Sequence, residues 1–429
     1  MKRLILFFVL LSGVLSLKAQ NAARIFRTEV TPYDNRKDAE LGNKAQAGKW
    51  IAFSPQVESR QAQCRIEIPK AWGMGDVYLH IETAPAAYRL WINDREVACV
   101  EDLAAPAEFL VTPYVTEGNN DFRLEFIDPE NRQLSPHLAY GKSFAESRLY
   151  YQDRRAVQDY VVAIVPDTLG RDFGILKLDA VVGNHFNYEE QVKVHFDIYS
   201  PEGKLIDHNN VAVTVAGGGR DTVHFETPVY GAYRYKWQSG VRRPSLYRVM
   251  MFISRQGAFS EYMPMRVGFG KTEWSEGKLM RFGKELTLRK VKYNATDKKS
   301  TLLKLASYKK QGFNTICPDY PQPTWFYEEC DKLGLYVIDQ ADIDIEKGRD
   351  DRTVGGTLSN DPTLKDEFLE RIKAMYYRSR NFSCVVAYSL GAPSGNGYNM
   401  YKAYEWLKSV EKSRPVIYSD ADGEWNTDL

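Results

Sequence analysis

The sequence predicts a multidomain chain of β plus α/β class, with two β-sandwiches followed by an incomplete TIM (β/α)8-type barrel. Two patterns and one length argument predict it. From residue 21 to about 274, short alternating apolar and polar segments are broken by Gly, Pro, Asn and Asp, which is the pattern of half-buried strands. Beyond about Phe282 the apolar spacing changes to three and four residues, with short apolar runs between. The 429 residues are 44% hydrophobic and 26% charged. At about 150 residues per domain they fill two to four cores, and general disorder is excluded.

Residues 1 to 20 fit a secretory signal peptide. Lys2 and Arg3 open it, a 14-residue apolar run from Leu4 to Leu17 follows, and Leu17-Lys18-Ala19 offers a small-residue cleavage site. That run is too short to span a bilayer comfortably, and no later stretch reaches ~18 apolar residues, so stable membrane insertion is not expected. The expected location is secreted or periplasmic.

From 21 to 155, segments such as Val77-Tyr-Leu-His-Ile-Glu-Thr and Asp121-Phe-Arg-Leu-Glu-Phe send every second side chain to one face. From 156 to 274, strands are expected at Ile175-Leu-Lys-Leu-Asp-Ala-Val-Val, Gln191-Val-Lys-Val-His-Phe-Asp-Ile-Tyr and Tyr247-Arg-Val-Met-Met-Phe-Ile, with turns at Pro201-Glu-Gly and Gly217-Gly-Gly. At roughly 115 residues this region has the size of an immunoglobulin-like sandwich.

From 275 to 429, helical spacing covers Lys299 to Gln311, Trp325 to Leu333, Pro362 to Arg380 and Tyr401 to Val410. Strands are expected at Leu286 to Val291, Thr315-Ile-Cys, Tyr336-Val-Ile-Asp, Val385-Val-Ala-Tyr-Ser-Leu and Pro415-Val-Ile-Tyr. Five strands fall short of a closed eight-stranded barrel, which takes about 250 residues. An open edge and an exposed apolar inner face predict a protein partner, a homo-oligomer or further chain covering them.

Lys plus Arg is 57 against 56 for Asp plus Glu, so no basic excess exists for a phosphate backbone and nucleic acid is not an expected partner. The 27 Tyr, 20 Phe and 8 Trp suit strand packing and also surfaces that stack on sugar rings, so a glycan is an expected partner. Five cysteines are too few for a disulfide scaffold in a chain of this size. Cys64 and Cys99 are left as either a pair or free thiols. No His/Cys cluster has zinc-ligand spacing, and no cofactor is expected. His80, His137, His185, His195, His208 and His224 fall in the sandwiches and read as strand or loop surface residues. Tyr233-Arg-Tyr-Lys-Trp beside Arg242-Arg-Pro reads as strand packing at period two, with stacking on a glycan or single-stranded nucleic acid as the alternative.

Several motifs carry a resemblance. Leu90-Trp-Ile-Asn-Asp-Arg-Glu-Val and Phe109-Leu-Val-Thr-Pro-Tyr-Val-Thr-Glu-Gly-Asn lie in the first sandwich. Trp237 followed by Pro244-Ser-Leu-Tyr-Arg-Val lies in the second, which opens at Val157-Gln-Asp-Tyr-Val-Val. Phe326-Tyr-Glu-Glu-Cys-Asp-Lys-Leu-Gly-Leu-Tyr-Val-Ile-Asp, Arg371, Arg378-Ser-Arg-Asn, Tyr388-Ser-Leu-Gly, Ser394-Gly-Asn-Gly and Ser413-Arg-Pro-Val-Ile-Tyr follow in the barrel region. In this order they resemble glycoside hydrolase family 2, which includes β-galactosidases, β-glucuronidases and β-mannosidases. The resemblance implies a jelly-roll-like sugar-binding-type sandwich, an immunoglobulin-like sandwich and a TIM barrel.

It also implies retaining hydrolysis by two carboxylic acids. The family's acid/base Glu corresponds here to Pro393, in Gly391-Ala392-Pro393-Ser394, and the Asn before it to Ala392. The second carboxylate, on the family's seventh strand, would lie beyond Leu429. The "DEAN" carboxylate is Gln340, "HPS" is Phe382-Ser-Cys, and "R-x-SHYP" is Cys317-Pro-Asp-Tyr-Pro. Scaffold motifs persist while site residues change, so the expectation is a pseudoenzyme with no catalytic residue of its own.

The residues expected to bind substrate are Asp319, Tyr320, Trp325, Asp342, Asp344 and Asn396. Asp319, Tyr320 and Trp325 make an aromatic and hydrogen-bonding wall suited to a sugar ring, with helix-start packing as the alternative for Trp325. Asp339, Asp342, Asp344 and Glu346 crowd one strand end, and Asp344 with Glu346 could present oxygens to Mg²⁺ or Ca²⁺. A solvated acidic loop is the preferred reading there, with no metal. The leading expectation is an exported, catalytically impaired carbohydrate-recognition protein. The alternatives are the N-terminal part of an active β-glycosidase hydrolysing O-glycosyl bonds, and a non-catalytic envelope assembly or interaction protein.

Overall fold

The structure, a computed structural model, describes residues 23–42, 49–127, 134–136, 143–166, 173–232, 234–241, 244–270 and 272–428. The signal peptide expected at 1–20 lies outside them, as do His137, Tyr233 and Arg242. Among the described residues no helix is long and apolar enough to cross a membrane.

Alternation in the first region produces two antiparallel sheets packed face to face. One runs in the order Gln56–Val57, Gln61–Ile68, Gly118–Phe126, Tyr88–Ile92, Arg95–Val100; the other in the order Trp50–Ala52, Arg148–Asp153, Gly75–Ile81, Ala107–Leu110. Ile66, Leu90, Phe122 and Leu124 meet Leu79, Phe109 and Leu149 in the core. The hairpin between Tyr88–Ile92 and Arg95–Val100 turns at Asn93 and Asp94, both at positive φ (49° and 59°), as the twist of a two-residue hairpin loop requires. Cys64 and Cys99 lie on strands three places apart in the five-stranded sheet. That is about 14 Å at ~4.8 Å per strand, beyond disulfide reach, and all five cysteines are free thiols.

The second region pairs a three-stranded sheet, Arg155–Pro166, Phe173–Asn184 and Arg220–Tyr230, with a four-stranded one ordered Leu205–Val215, Glu190–Tyr199, Tyr247–Arg255, Ala258–Val267. Val192, Val194, Phe196 and Ile198 are the inward set of one strand, and they meet Leu176, Leu178 and Phe225 opposite. The boundary expected after residue 274 falls inside Thr272–Ser275, the first strand of a small sheet with Lys278–Arg281 and Lys284–Glu285. Glu276 and Gly277, at φ 50° and 73°, make the tight turn that holds this hairpin together.

The third region is a five-stranded parallel sheet in the order Lys290–Lys292, Thr315–Cys317, Tyr336–Gln340, Val385–Ser389, Val416–Ile417. Helices Lys298–Lys310, Thr324–Leu333, Lys365–Ser379 and Tyr398–Val410 supply the four crossovers that parallel neighbours need. The first strand begins at Lys290 rather than Leu286 because the Leu286 N–H donates to the Leu279 carbonyl, completing the preceding small sheet. Asp297 caps the first helix by accepting from the Ser300 N–H at 2.9 Å. In Lys365–Ser379, Phe368, Ile372 and Met375 are buried at three- and four-residue spacing.

Trp237 joins the second region to the third. Its ring is fully buried, its Nε1 donates to the Asp331 carbonyl at 2.8 Å, and Arg281 lies over it at 5.0 Å. Gly334 ends the helix Thr324–Leu333 at φ +69°, and a Cβ there would lie 2.5 Å from Pro244 Cγ. Only glycine lets Pro244 and the Gln238 carbonyl seat against this helix end.

Residues 24 to 33, expected within the first sandwich, instead run along all three regions. Arg27 pairs with Glu108 at 2.6 Å, Tyr33 exchanges backbone bonds with Tyr262, and Thr28 Oγ1 accepts from Arg380 Nε at 3.0 Å.

Candidate functional site

Parallel strands place all their C-terminal ends on one side, where βα loops gather. Asn294, Asp319, Asp342, Pro393 and Asp420 follow the first to fifth strands in turn. Asn294 Nδ2 donates to Asp319 Oδ2 at 2.8 Å, and the Asp319 N–H donates to Asn294 Oδ1 at 2.8 Å. Gln340 Nε2 donates to the Asp319 carbonyl at 2.8 Å, and Ser389 Oγ donates to Gln340 Oε1 at 3.1 Å. A hydrogen-bonded row therefore crosses four strands. Gln340 links Asp319 to Ser389 in this row, and an ionised carboxylate there could not both donate and accept. Asn294, Gln340 and Ser389 were not among the expected site residues. Their signal was available, since each is a polar residue at or just past the end of an expected strand.

Asp319 stays one-third exposed, with Lys292 Nζ 3.4 Å from Oδ1. Tyr320 is half-buried. Burial pushes its phenol above the ordinary value, and the Asp342 and Asp319 charges add to this, so it is a neutral hydroxyl at the mouth. Trp325 is buried in the first turn of its helix, with Lys298 Nζ 5.8 Å from the ring centre. That is the helix-start packing arrangement.

Asp342 is fully buried. Arg371 Nη1 donates to its Oδ2 and to its carbonyl, each at 2.7 Å, and Ser135 Oγ donates to its Oδ1. Its carboxylate holds the loop rather than facing the mouth. Asp344 is half-buried, with its N–H donating to the Leu134 carbonyl at 2.8 Å. Asn396 is buried and shares two amide hydrogen bonds with Asn426, at 3.1 and 2.8 Å. The structure thus brings Asp319 and Tyr320 together at the face and folds Trp325, Asp342 and Asn396 into its support.

The expected solvated acidic loop is also corrected. Asp339 and Asp342 are inside, and only Glu346 is exposed. Asp339 accepts from the Tyr327 hydroxyl at 2.8 Å, and burial lifts it to about 6. Among the described residues no three His, Cys, Asp or Glu side chains form a group able to hold a metal ion.

The loop between the third strand and its helix closes over the fourth and fifth strand ends. Arg349 Nε and Nη2 donate to Asp420 at 2.8 and 2.7 Å, and Asp420 also accepts from the Gly395 N–H at 2.8 Å. Arg352 pairs with Glu424, which accepts from the Tyr401 hydroxyl at 2.6 Å. Burial alone would raise Asp420, but the Arg349 hydrogen bonds hold it below its ordinary value. Tyr401 and Arg352 lower Glu424 likewise. A general acid needs the opposite, a carboxyl kept protonated near neutrality. Pro393 stands exposed among these loops, four residues past the end of Val385–Ser389.

His80 departs from the expectation of a surface histidine. It is 3% exposed, with Nε2 2.8 Å from Glu82 and Nδ1 3.4 Å from Glu108. The strand alternation that placed it outward is overridden because the barrel region covers that face.

Two antiparallel β regions thus precede a parallel α/β region whose loops gather at the C-terminal strand ends. Residues 292–428 match the family model for the glycosyl hydrolases family 2 TIM barrel domain. The β-galactosidase of Vibrio cholerae is 27% identical over 355 residues, covering 78% of this chain and 33% of that protein. That of Pseudoalteromonas haloplanktis is 29% identical over 360 residues, covering 80% and 33%. In fold, a β-glycosidase from Bacteroides vulgatus superposes with a TM-score of 0.69 at 15% identity, over 95% of this chain and 50% of that one. The barrel-domain match and the β-galactosidase relatives support membership of glycoside hydrolase family 2. It spans about a third of the length of the curated relatives it matches.

Proposed function

We propose that this glycoside-hydrolase-like chain is an exported carbohydrate-recognition protein with impaired catalysis. In this reading its regions are a jelly-roll-like sandwich, an immunoglobulin-like sandwich and an incomplete (β/α)8 barrel, and a glycan docks at the C-terminal strand face on Asp319 and Tyr320. The observation that carries it is Pro393. Retaining hydrolysis needs a proton donor at the family's acid/base position, and proline there has no proton to give, while the neighbouring carboxylates Asp420 and Glu424 are held ionised by arginines. The relatives are named β-galactosidases and a β-glycosidase, so β-galactosides are the first ligands to try.

The test combines turnover and binding on the full chain. No release of 4-nitrophenol from 4-nitrophenyl β-galactoside or β-glucuronide above buffer is expected, together with retention on a glycan array that Asp319→Asn with Tyr320→Phe abolishes. Clear turnover would overturn the impairment, and an array without signal would overturn the recognition.

A second reading is favoured by the share of the relatives that is covered: the chain acts as the front part of an active β-glycosidase. The intact mass of the native exported protein, with turnover at that mass, decides between the two.

A further inference from the structure

A cleft of about 430 Å³ lies between the four-stranded sheet of the second region, the segment 29–42 and the helix Thr324–Leu333. That volume falls in the range of roughly 300–1,000 Å³ found for ligand pockets. On the sheet wall Tyr199, Arg248 and Arg266 stand side by side across three neighbouring strands. Arg248 lies 5.3 Å over the Tyr199 ring, whose hydroxyl already accepts from Arg36 Nη1 at 2.8 Å. On the helix wall Thr324, Glu328 and Lys332 follow at four-residue spacing and so share one face. Several lining charges are matched. Glu29 holds Arg148 and accepts from Thr324 Oγ1 at 2.8 Å, Arg378 holds Glu82, and Lys332 Nζ lies 3.3 Å from Glu329. Arg248 and Arg266 are exposed, Glu328 is half-buried and Glu40 is exposed, and among the described residues none of the four makes a hydrogen bond or an ion pair. Like charges directly opposite on a sheet repel, and residues 43–48, which follow the lining residue Gly42, contain no Asp or Glu. The cleft therefore holds two unmatched cations on the sheet wall and two unmatched carboxylates on the others.

We propose that this cleft is a binding site for a small organic acid, whose carboxylate docks on Arg248 and Arg266 and whose ammonium or hydroxyl groups reach Glu328. The guanidinium fork matches a carboxylate with two parallel N–H donors. One carboxylate shared by the two arginines turns their mutual repulsion into a common attraction. A carboxylate side chain only accepts hydrogen bonds, so Glu328 selects donors at the far end of the ligand. A neutral molecule leaves the arginine pair unmet, and a simple inorganic anion leaves Glu328 unmet. The Tyr160 hydroxyl also lines the cleft. Burial and the Glu29, Asp159 and Glu328 charges push its phenol above the ordinary value, so it stays a neutral donor. The walls belong to the second region and to the helix that follows Asp319 and Tyr320, so the ligand bridges the two regions and stabilises their joint. Such a site is independent of the glycan reading of the parallel-sheet face.

The test follows the Tm of the full chain against alanyl-glutamate, which supplies an ammonium, and gluconate, which supplies hydroxyls, at ionic strength matched with KCl. A saturable rise is expected with at least one of them, and the acid that answers identifies the donor chemistry. Arg248→Gln with Arg266→Gln should weaken that response about tenfold. The same double variant should keep or raise the unliganded Tm, because it removes a like-charge pair from exposed positions. Glu328→Gln should weaken the response to alanyl-glutamate, whose ammonium loses its counter-charge. Absence of a saturable rise with either acid, an equal rise with galactose, or a rise unchanged in the double arginine variant would overturn the proposal. A rise lost in Asp319→Asn with Tyr320→Phe would place the ligand on the parallel-sheet face and overturn this site.

Discussion

Glu82 of the first sandwich and Arg378 of the helix Lys365–Ser379 form a buried ion pair at 2.6 Å, with side chains 9% and 6% exposed. Glu82 also faces His80 at 2.8 Å, and His80 faces Glu108, which Arg27 holds. Arg148, bound to Glu29, lies opposite His80 in the strand register. The joint between sandwich and parallel-sheet region is therefore ionic and buried.

Arg378→Met leaves the Glu82 charge buried without its main partner and should cost about 3–5 kcal/mol, read by urea unfolding. A loss under ~1 kcal/mol would mean the pair is dispensable. Burial alone would raise Glu82 and Glu108, but Arg378 and His80 hold Glu82 well below its ordinary value, and Arg27 and His80 hold Glu108 at about 2. Folded values below the unfolded 4.5 give stability that is complete above pH 4.5 and lost as pH falls toward 2. Glu108→Gln should flatten that acid limb.

Glu261 behaves in the opposite sense. Burial pushes its carboxyl up to about 8; Arg255 opposes the rise and Asp153 adds to it. A group protonated when folded and ionised when unfolded takes up a proton on folding, so its stabilising effect is full below pH 4.5 and lost as pH rises through 8. Glu261→Gln should raise Tm at pH 9 and change it little at pH 5. Equal shifts at both values would refute the buried protonated carboxyl.

Two arginine clamps on the same face should differ in weight. Arg371 and Asp342 are 4% and 1% exposed, whereas Arg349 is 45% exposed against Asp420. Arg371→Met strands a buried carboxylate and should cost about 3–5 kcal/mol, while Arg349→Met should cost under ~1 kcal/mol. Urea midpoints of the two variants would compare them directly, and similar losses would contradict this ranking.

Pro393 is exposed, so Pro393→Glu should leave stability within ~0.5 kcal/mol. Retaining hydrolysis takes two carboxylates, so under the impaired-catalysis reading 4-nitrophenyl glycosides should remain intact in this variant. A gain of hydrolysis in this variant would favour the active-glycosidase reading.

Periodicity located the parallel strands to within a few residues, because a strand in a βα repeat must be an apolar run between helical spacings. The start of the first strand was misplaced because Leu286 is as apolar as a strand residue and its hydrogen bond to Leu279 leaves no local mark. Asp319 and Tyr320 were legible as face residues, since they follow a short apolar run. Asp342 and Asn396 looked equivalent in sequence but meet Arg371 and Asn426.

The sequence by itself determined the class of each region, the order of the three and the absence of an ionisable side chain at position 393. Those properties are local, set by side-chain period, turn chemistry and residue identity. Tertiary structure decided which charged residues are available to a ligand. Glu82 and Arg378 are 296 residues apart in the chain, and Ser135 and Asp342 are 207 apart. Alternation says which way a side chain points along its own strand, whereas burial and ion pairing depend on which other element packs against that face.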